Sequence, residues 1–320
     1  MHSRRDFVKL AMAGLPLSAA LAAKIDSSVN GVRLGTITYS FRDFPRTPGK
    51  DNVDAIIKAL QYCQIGEIEL FSPNIEPAGQ PLPPVPPTPY GMPRQPRTRS
   101  EEEIKLTKAN REALLKWRLE TPASYYHDVR KKFDDAGIRL YSYTINYNDQ
   151  FSDEEIDATF KQAKELGVES LASSCTLKMA QRLAPFADKH KMKLAVHGHS
   201  QVKDPNQFST PETFMKAMAM SPYMRINLDI GHFTAANCDA VAFIQEQHDK
   251  ISHLHVKDRK KNDGTNEAFG EGDTPIKAVL QLLKEKRYPI PAFIEYEYTG
   301  LRSSQDEVKR SMDYMKAALA

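Results

Sequence analysis

The sequence predicts an α/β fold, a (β/α)8 TIM barrel in a single domain, on three observations. Short apolar runs alternate along the chain with amphipathic stretches of helical period, and that alternation builds a parallel sheet covered by helices. Eight such strand–helix units can be read, which suits a closed barrel better than an open doubly wound sheet. No glycine-rich G-x-G-x-x-G turn follows the first strand, which argues against a dinucleotide-binding sheet.

Taken in order, Val32 to Ser40 reads as the first strand and Asn52 to Cys63 as its helix, with Val53, Ile56, Ile57 and Leu60 on one face. Gly66 to Phe71 is the second strand. The rhythm then breaks, and residues 72–120 read as an insertion. It is proline-rich and irregular from Ser72 to Arg99, then helical from Ser100 to Leu119, with Ser100 as cap and Glu103 three residues on. Because the rhythm resumes unchanged, the insertion is taken as a lid or rim rather than a domain boundary. A helix from Thr121 to Ala136 is stopped by Gly137. Ile138 to Tyr147, Val168 to Ser174 and Met192 to His197 are strands three to five, with helices at Asp153 to Leu166, Leu177 to His190 and Pro211 to Met218. Arg225 to Ile230, Ile251 to Val256 and Ala292 to Glu297 are strands six to eight, with helices at Asp239 to His248, Thr274 to Lys286 and Ser304 to Ala318. The last four strands are apolar runs that suit burial on both faces.

Composition narrows the function classes. The 320 residues are 41% hydrophobic, enough for a sizeable core. A net charge of +3 without a basic stripe gives no sign of nucleic acid, and no run approaches the roughly 18 apolar residues of a membrane span. Ser3-Arg-Arg-Asp-Phe-Val-Lys9, followed by the apolar stretch Leu10 to Ala22, resembles a twin-arginine export signal. Residues 1–23 are therefore set apart from the barrel at 30–320, and the mature protein is expected to be periplasmic or otherwise exported. By resemblance, that pathway carries proteins already folded. Cys63, Cys175 and Cys238 are odd in number and lack a disulfide spacing, so they read as buried thiols.

The chemistry gathers at the ends of strands five to eight. Five of the nine histidines lie there, His197, His199, His232, His253 and His255, beside Asp229, Glu295 and Glu297. Active sites of such barrels sit at the C-terminal ends of the strands. Burying so many polar groups costs several kcal/mol unless they share a partner, and one divalent cation is the simplest. Mixed imidazole and carboxylate donors fit Mn²⁺, Co²⁺, Zn²⁺ or Fe²⁺ better than Ca²⁺ or Cu⁺. If the strands lie side by side, His197, Asp229, His255 and Glu295 fall at corresponding heights. His197 and His199 share a face by period-two alternation, as do His253 and His255, and Glu295 and Glu297. Spacing alone does not say which member of each pair meets the metal.

Leu228-Asp-Ile-Gly-His232, His253-Leu-His-Val-Lys-Asp258, Gly270-Glu-Gly-Asp-Thr-Pro275 and Phe293-Ile-Glu-Tyr-Glu297 together resemble the xylose-isomerase-like TIM barrels, from about Val32 to the C-terminus outside the insertion. That superfamily includes sugar and sugar-phosphate isomerases and epimerases, inosose dehydratase and endonuclease IV. The resemblance to its ketose 3-epimerases implies His197, Asp229, His255 and Glu295 as metal ligands. It implies His232 as a substrate contact, joined at the same mouth by His199 and Glu297, and Glu69 on strand two as a substrate ligand or base. Those epimerases carry glutamate where this chain has His197, so their pairing of two glutamate bases is not reproduced. The expected activity is a metal-dependent isomerase or epimerase working through the enediolate of a sugar or sugar derivative. Glu295, Glu69 or His199 would take the proton and Lys257 would neutralise developing charge. One alternative is a lyase or hydratase acting on 3-keto sugars or glycosides, which suits export. Another is a non-catalytic periplasmic sugar-binding barrel. The expected partner is a small carbohydrate, with no nucleic acid; DNA repair of the endonuclease IV kind would need a basic face and a cytosolic address. The substrate, the metal and the oligomeric state stay open.

Overall fold

The computed structural model describes residues 24–83 and 98–320. The expected export signal at 1–23 lies outside the described residues, as does the centre of the proline-rich stretch. The first half runs β1 (Leu34–Ile37), α1 (Val53–Cys63), β2 (Glu67–Phe71), α2 (Glu101–Glu120), α3 (Ala123–Asp135), β3 (Arg139–Thr144), α4 (Asp153–Leu166), β4 (Ser170–Ser173) and α5 (Leu177–His190). The second runs β5 (Lys193–His197), α6 (Pro211–Met218), β6 (Met224–Asp229), α7 (Ile230–Ala235), α8 (Ala240–Gln247) and β7 (Ile251–Val256). A small hairpin of β8 (Asp258–Arg259) and β9 (Asn266–Glu267) follows, then α9 (Ile276–Lys286), β10 (Ala292–Ile294) and α10 (Ser304–Leu319). Eight parallel strands, β1 to β7 and β10, close into the barrel as expected, with β10 pairing both β1 and β7.

Local signals set the helix ends. Ser152 and Thr176 cap α4 and α5 by accepting the amides of Glu155 and Met179, each at 3.1 Å, and α4 ends at Gly167 with φ 66°. The apolar faces of α1, α4, α5 and α9 pack against the barrel wall in one continuous core.

Several boundaries differ from expectation. The first strand stops at Ile37 and tightens into a 3₁₀ turn at Thr38–Phe41. That turn brings Ser40 Oγ to the Tyr296 amide at 3.0 Å. The last strand therefore ends at Ile294, although the Glu295 amide still reaches Val256 O at 3.0 Å. The third strand stops at Thr144 rather than Tyr147. Helix α7 and the β8–β9 hairpin are unforeseen. Cys63 and Cys175 are buried thiols, but Cys238 is only partly buried.

Two motif glycines have structural explanations. The Asp258 carboxylate accepts the amides of Gly270, Gly272 and Thr274 at 2.8–3.1 Å, so the Gly270–Pro275 motif is the far side of a loop latched to the end of β7. A Cβ on Gly272 would meet Asp258 Oδ1 at 2.0 Å. At Gly231 a Cβ would meet Lys257 Cγ at 2.3 Å, so glycine there opens the path for the lysine stem.

The insertion helix α2 starts at Ser100, whose hydroxyl accepts the Glu103 amide at 3.1 Å as expected. It is fastened to the barrel by buried charge. Arg118 donates to Glu76 at 2.7 Å and to Glu155 at 2.8 Å, and Arg111 also reaches Glu155. All three of Arg118, Glu76 and Glu155 are buried. Removing the cation strands two carboxylates in low dielectric, so Arg118→Met is expected to cost about 3–5 kcal/mol in urea denaturation. A loss near zero would show that the network does not hold the helix.

Candidate metal centre and active-site cavity

The C-terminal ends of the strands open into a cavity of about 280 Å³. One wall is histidine and carboxylate. The other includes Tyr39 and Phe71, whose rings meet edge to face at 5.2 Å.

His197 ends β5, Asp229 ends β6, His255 is on β7 and Glu295 follows β10. Asp229 and His255 are abreast in the β6–β7 register. These four offer donor atoms all within 4.8 Å of one another, and all four side chains are buried. Two overlapping sets flank this quartet: His197, His199 and His232 on one side, and Glu69, His253 and His255 on the other. Of each pair left open by alternation, the quartet thus draws His197, His255 and Glu295. His199 and His253 fall in the flanking sets, and Glu297 lines the cavity mouth.

The donor set fits a divalent cation. The Asp229 side chain is divided in use: Oδ1 caps α7 by accepting the His232 amide at 2.7 Å, while Oδ2 is buried 3.2 Å from the Lys257 ammonium. Nδ1 of His197 is buried without a hydrogen-bond partner. Such an orphan is costly unless something at the site satisfies it, and two imidazoles with two carboxylates suit a transition-metal ion.

Electrostatics show how the group is balanced. Burial pushes the Asp229 carboxyl up to about 7. Burial would lower His255, but the carboxylates of Glu69 and Glu295 raise its imidazolium to about 10. Glu295 is held well below the usual carboxylate range, against its burial, by Lys257 and His255. Burial lowers His197, His199 and His232, with the nearby Lys257 charge adding to the effect. These three imidazoles are therefore neutral near pH 7, the form that binds metal.

Lys257 is buried, 2% exposed as a residue, and its ammonium lies 2.5 Å from Glu297, 2.8 Å from Glu295 and 3.2 Å from Asp229. It also approaches His232 Nε2 at 3.1 Å, while Arg259 approaches Nδ1 at 2.7 Å. Glu69 lies at the buried end of the cavity. It accepts from Thr144 Oγ1 and lies 2.6 Å from His253 Nε2 and 2.7 Å from His255 Nε2. His199 Nε2 meets Ser174 Oγ at 3.0 Å. The sequence reading missed Asn227, Asn146, Tyr39 and Arg259. Only Asn227 carried a signal, being two residues before Asp229 and so on the same strand face.

The family model for xylose isomerase-like TIM barrels matches residues 176–318. L-ribulose-5-phosphate 3-epimerase UlaE of Salmonella paratyphi A is 30% identical over 100 residues, 31% of this chain and 35% of that protein. The chain thus matches about a third of the length of its curated relative. Three solved structures share the fold at low identity. The probable 3-DHS dehydratase AsbF from Bacillus anthracis has a TM-score of 0.61 and 13% identity, covering 89% of this chain and 98% of that one. The IOLI protein with a bound zinc atom has 0.59 and 13%, covering 90% and 99%. The 3-keto-D-glucoside 4-epimerase YcjR of E. coli has 0.58 and 11%, covering 89% and 99%. Barrel, donor set and the match over residues 176–318 together support the xylose isomerase-like TIM-barrel superfamily for this chain.

Proposed function

We propose that the protein is a metal-dependent enzyme that removes a proton beside the carbonyl of a sugar or sugar derivative and returns it elsewhere, as an isomerase or epimerase. The observation that carries this reading is the convergence of His197, Asp229, His255 and Glu295 at the catalytic end of the barrel. A divalent cation held by these four would polarise the carbonyl and stabilise the oxyanion that develops there. Glu295 takes the proton from the carbon beside the carbonyl as the C–H electron pair moves toward the carbonyl oxygen. Return of a proton to the other face of that carbon gives the epimer, and return to the neighbouring carbon gives the isomer. His199, His232 and Glu297 line the cavity where hydroxyl groups would be held, and the buried charge of Lys257 offsets the crowded carboxylates. Two similar proteins are named as epimerases, which agrees with this reading.

A second reading shares the first step and then expels a β-substituent, as a lyase or dehydratase. His197 favours it, because one of two opposed glutamate bases is replaced by an imidazole. A fold neighbour is named as a dehydratase. Under either reading, residues 1–23 would export the folded enzyme and 30–320 form its catalytic domain, bringing it free sugars and glycosides rather than phosphorylated ones.

Elemental analysis of the purified protein is expected to find about one transition-metal ion per chain. Chelation should abolish turnover of keto-sugars, and Mn²⁺ or Co²⁺ should restore it. Full activity without metal would overturn the proposal. New ultraviolet absorbance from a conjugated enone would select elimination over isomerisation.

A further inference from the structure

Glu69 is the least exposed carboxylate at the cavity, and its surroundings argue against the role of base. It is fully buried, as is His253, and His255 is 1% exposed. Four neighbours donate to it or lie against it: Thr144 Oγ1 at Oε1, and His253 Nε2, His255 Nε2 and Asn227 Nδ2 at Oε2, the last three at 2.6, 2.7 and 3.5 Å. With Oε2 engaged by both imidazoles and Oε1 by the Thr144 hydroxyl, the charge of this carboxylate is committed to its neighbours.

The consequence falls on His255. Its ring has two distinct sides: Nε2 points to Glu69, and Nδ1 points to Glu295 Oε2 at 3.2 Å, toward the quartet. Both ring nitrogens face a carboxylate, Nε2 at 2.7 Å and Nδ1 at 3.2 Å, but a ring that binds a cation keeps only one hydrogen. Nδ1 is the nitrogen beside the quartet's Glu295, so the cation would take that lone pair and the remaining hydrogen stays on Nε2 against Glu69. His253 supports the arrangement from the β7 position two residues earlier. Its Nε2 faces the same carboxylate oxygen and its Nδ1 meets Ser252 Oγ at 3.1 Å. Ser252 is itself tied across the barrel, through Ser170 Oγ at 3.2 Å and through its carbonyl to Tyr141 at 2.7 Å.

We infer that Glu69 is a positioning residue: it holds the hydrogen of His255 on Nε2, so that Nδ1 is the nitrogen that binds the cation. This rests on the metal-centre reading above. A carboxylate behind a ligating histidine fixes the ring and strengthens it as a ligand, and removing one commonly weakens metal binding by about 10- to 100-fold. Glu69→Gln keeps the volume and one acceptor but removes the charge.

The test is Mn²⁺ and Zn²⁺ titration of metal-free wild type and Glu69→Gln by calorimetry, with turnover at saturating metal. The expected result is a 10- to 100-fold rise in Kd in the variant, with most turnover regained once metal is saturating. An unchanged Kd with turnover lost at saturating metal would make Glu69 a base and overturn the inference. No uptake of metal by wild type would overturn the metal-centre reading, and this inference with it. A second measurement needs no variant: long-range ¹H–¹⁵N spectra of the zinc-loaded wild type should show His255 protonated on Nε2. A proton on Nδ1 would refute the inference even if Glu69→Gln fails to fold.

Discussion

Glu295→Gln is expected to lower turnover by about 10²–10⁴-fold, the usual worth of a positioned general base, while the protein still takes up metal. Glutamine keeps the length, the volume and one oxygen donor, so a cation can still be held by His197, Asp229 and His255 together with the amide oxygen. It cannot accept a proton. The loss should therefore appear in kcat more than in metal content, and exchange of the substrate's carbon-bound hydrogen with solvent deuterium should fall in parallel. Glu295 is suited to this work because Lys257 at 2.8 Å and His255 at 3.2 Å keep it ionised despite burial. Unchanged exchange in the variant would remove Glu295 as the base and transfer the step to His199, whose Nδ1 is buried without a partner.

Lys257→Met should have the largest effect on the stability of the metal-free protein. The ammonium is enclosed by Asp229, Glu295 and Glu297, and methionine leaves the three carboxylates facing one another in a nearly dry site. Breaking a buried ion pair from one side costs about 3–5 kcal/mol. A divalent cation bound to Asp229 and Glu295 would replace much of the missing positive charge. Thermal denaturation should therefore show a deep loss without metal and a much smaller one with excess Mn²⁺, since a ligand that binds only the folded state stabilises it. Equal losses in both conditions would show that lysine and cation do not act on the same carboxylates.

The barrel was legible because its signal is local. Each buried strand is a short apolar run and each helix a periodic one, and residues such as Gly167 and Ser152 mark their ends. Helix α7 was not legible. It has six residues, and its cap is Asp229, a residue equally readable as a ligand. The β8–β9 hairpin has two residues per strand, below any periodicity. The quartet itself could be read from strand ends, since His197, Asp229, His255 and Glu295 all fall where barrel strands meet solvent. The choice between His253 and His255 could not. Alternation places both on one face, and Glu69 faces both; what separates them is Glu295, which meets Nδ1 of His255 from 40 positions on in the chain, while Nδ1 of His253 meets Ser252. The burial of Lys257 was hidden for the same reason, because its three carboxylates come from β6 and from the segment after β10.

The two oxygens of Asp229 serve different masters, one a helix cap and the other Lys257 and the cation site. The ligand's direction is thereby built into the backbone: with Oδ1 held at the start of α7, Oδ2 is left facing Lys257 among the quartet. An ion arriving there meets a side chain whose rotamer freedom has already been given up during folding. The entropy of arranging that donor belongs to the folding of β6 and α7, and the binding equilibrium is relieved of it. The centre is in this sense a fixed mould, set by the same hydrogen bond that starts a helix.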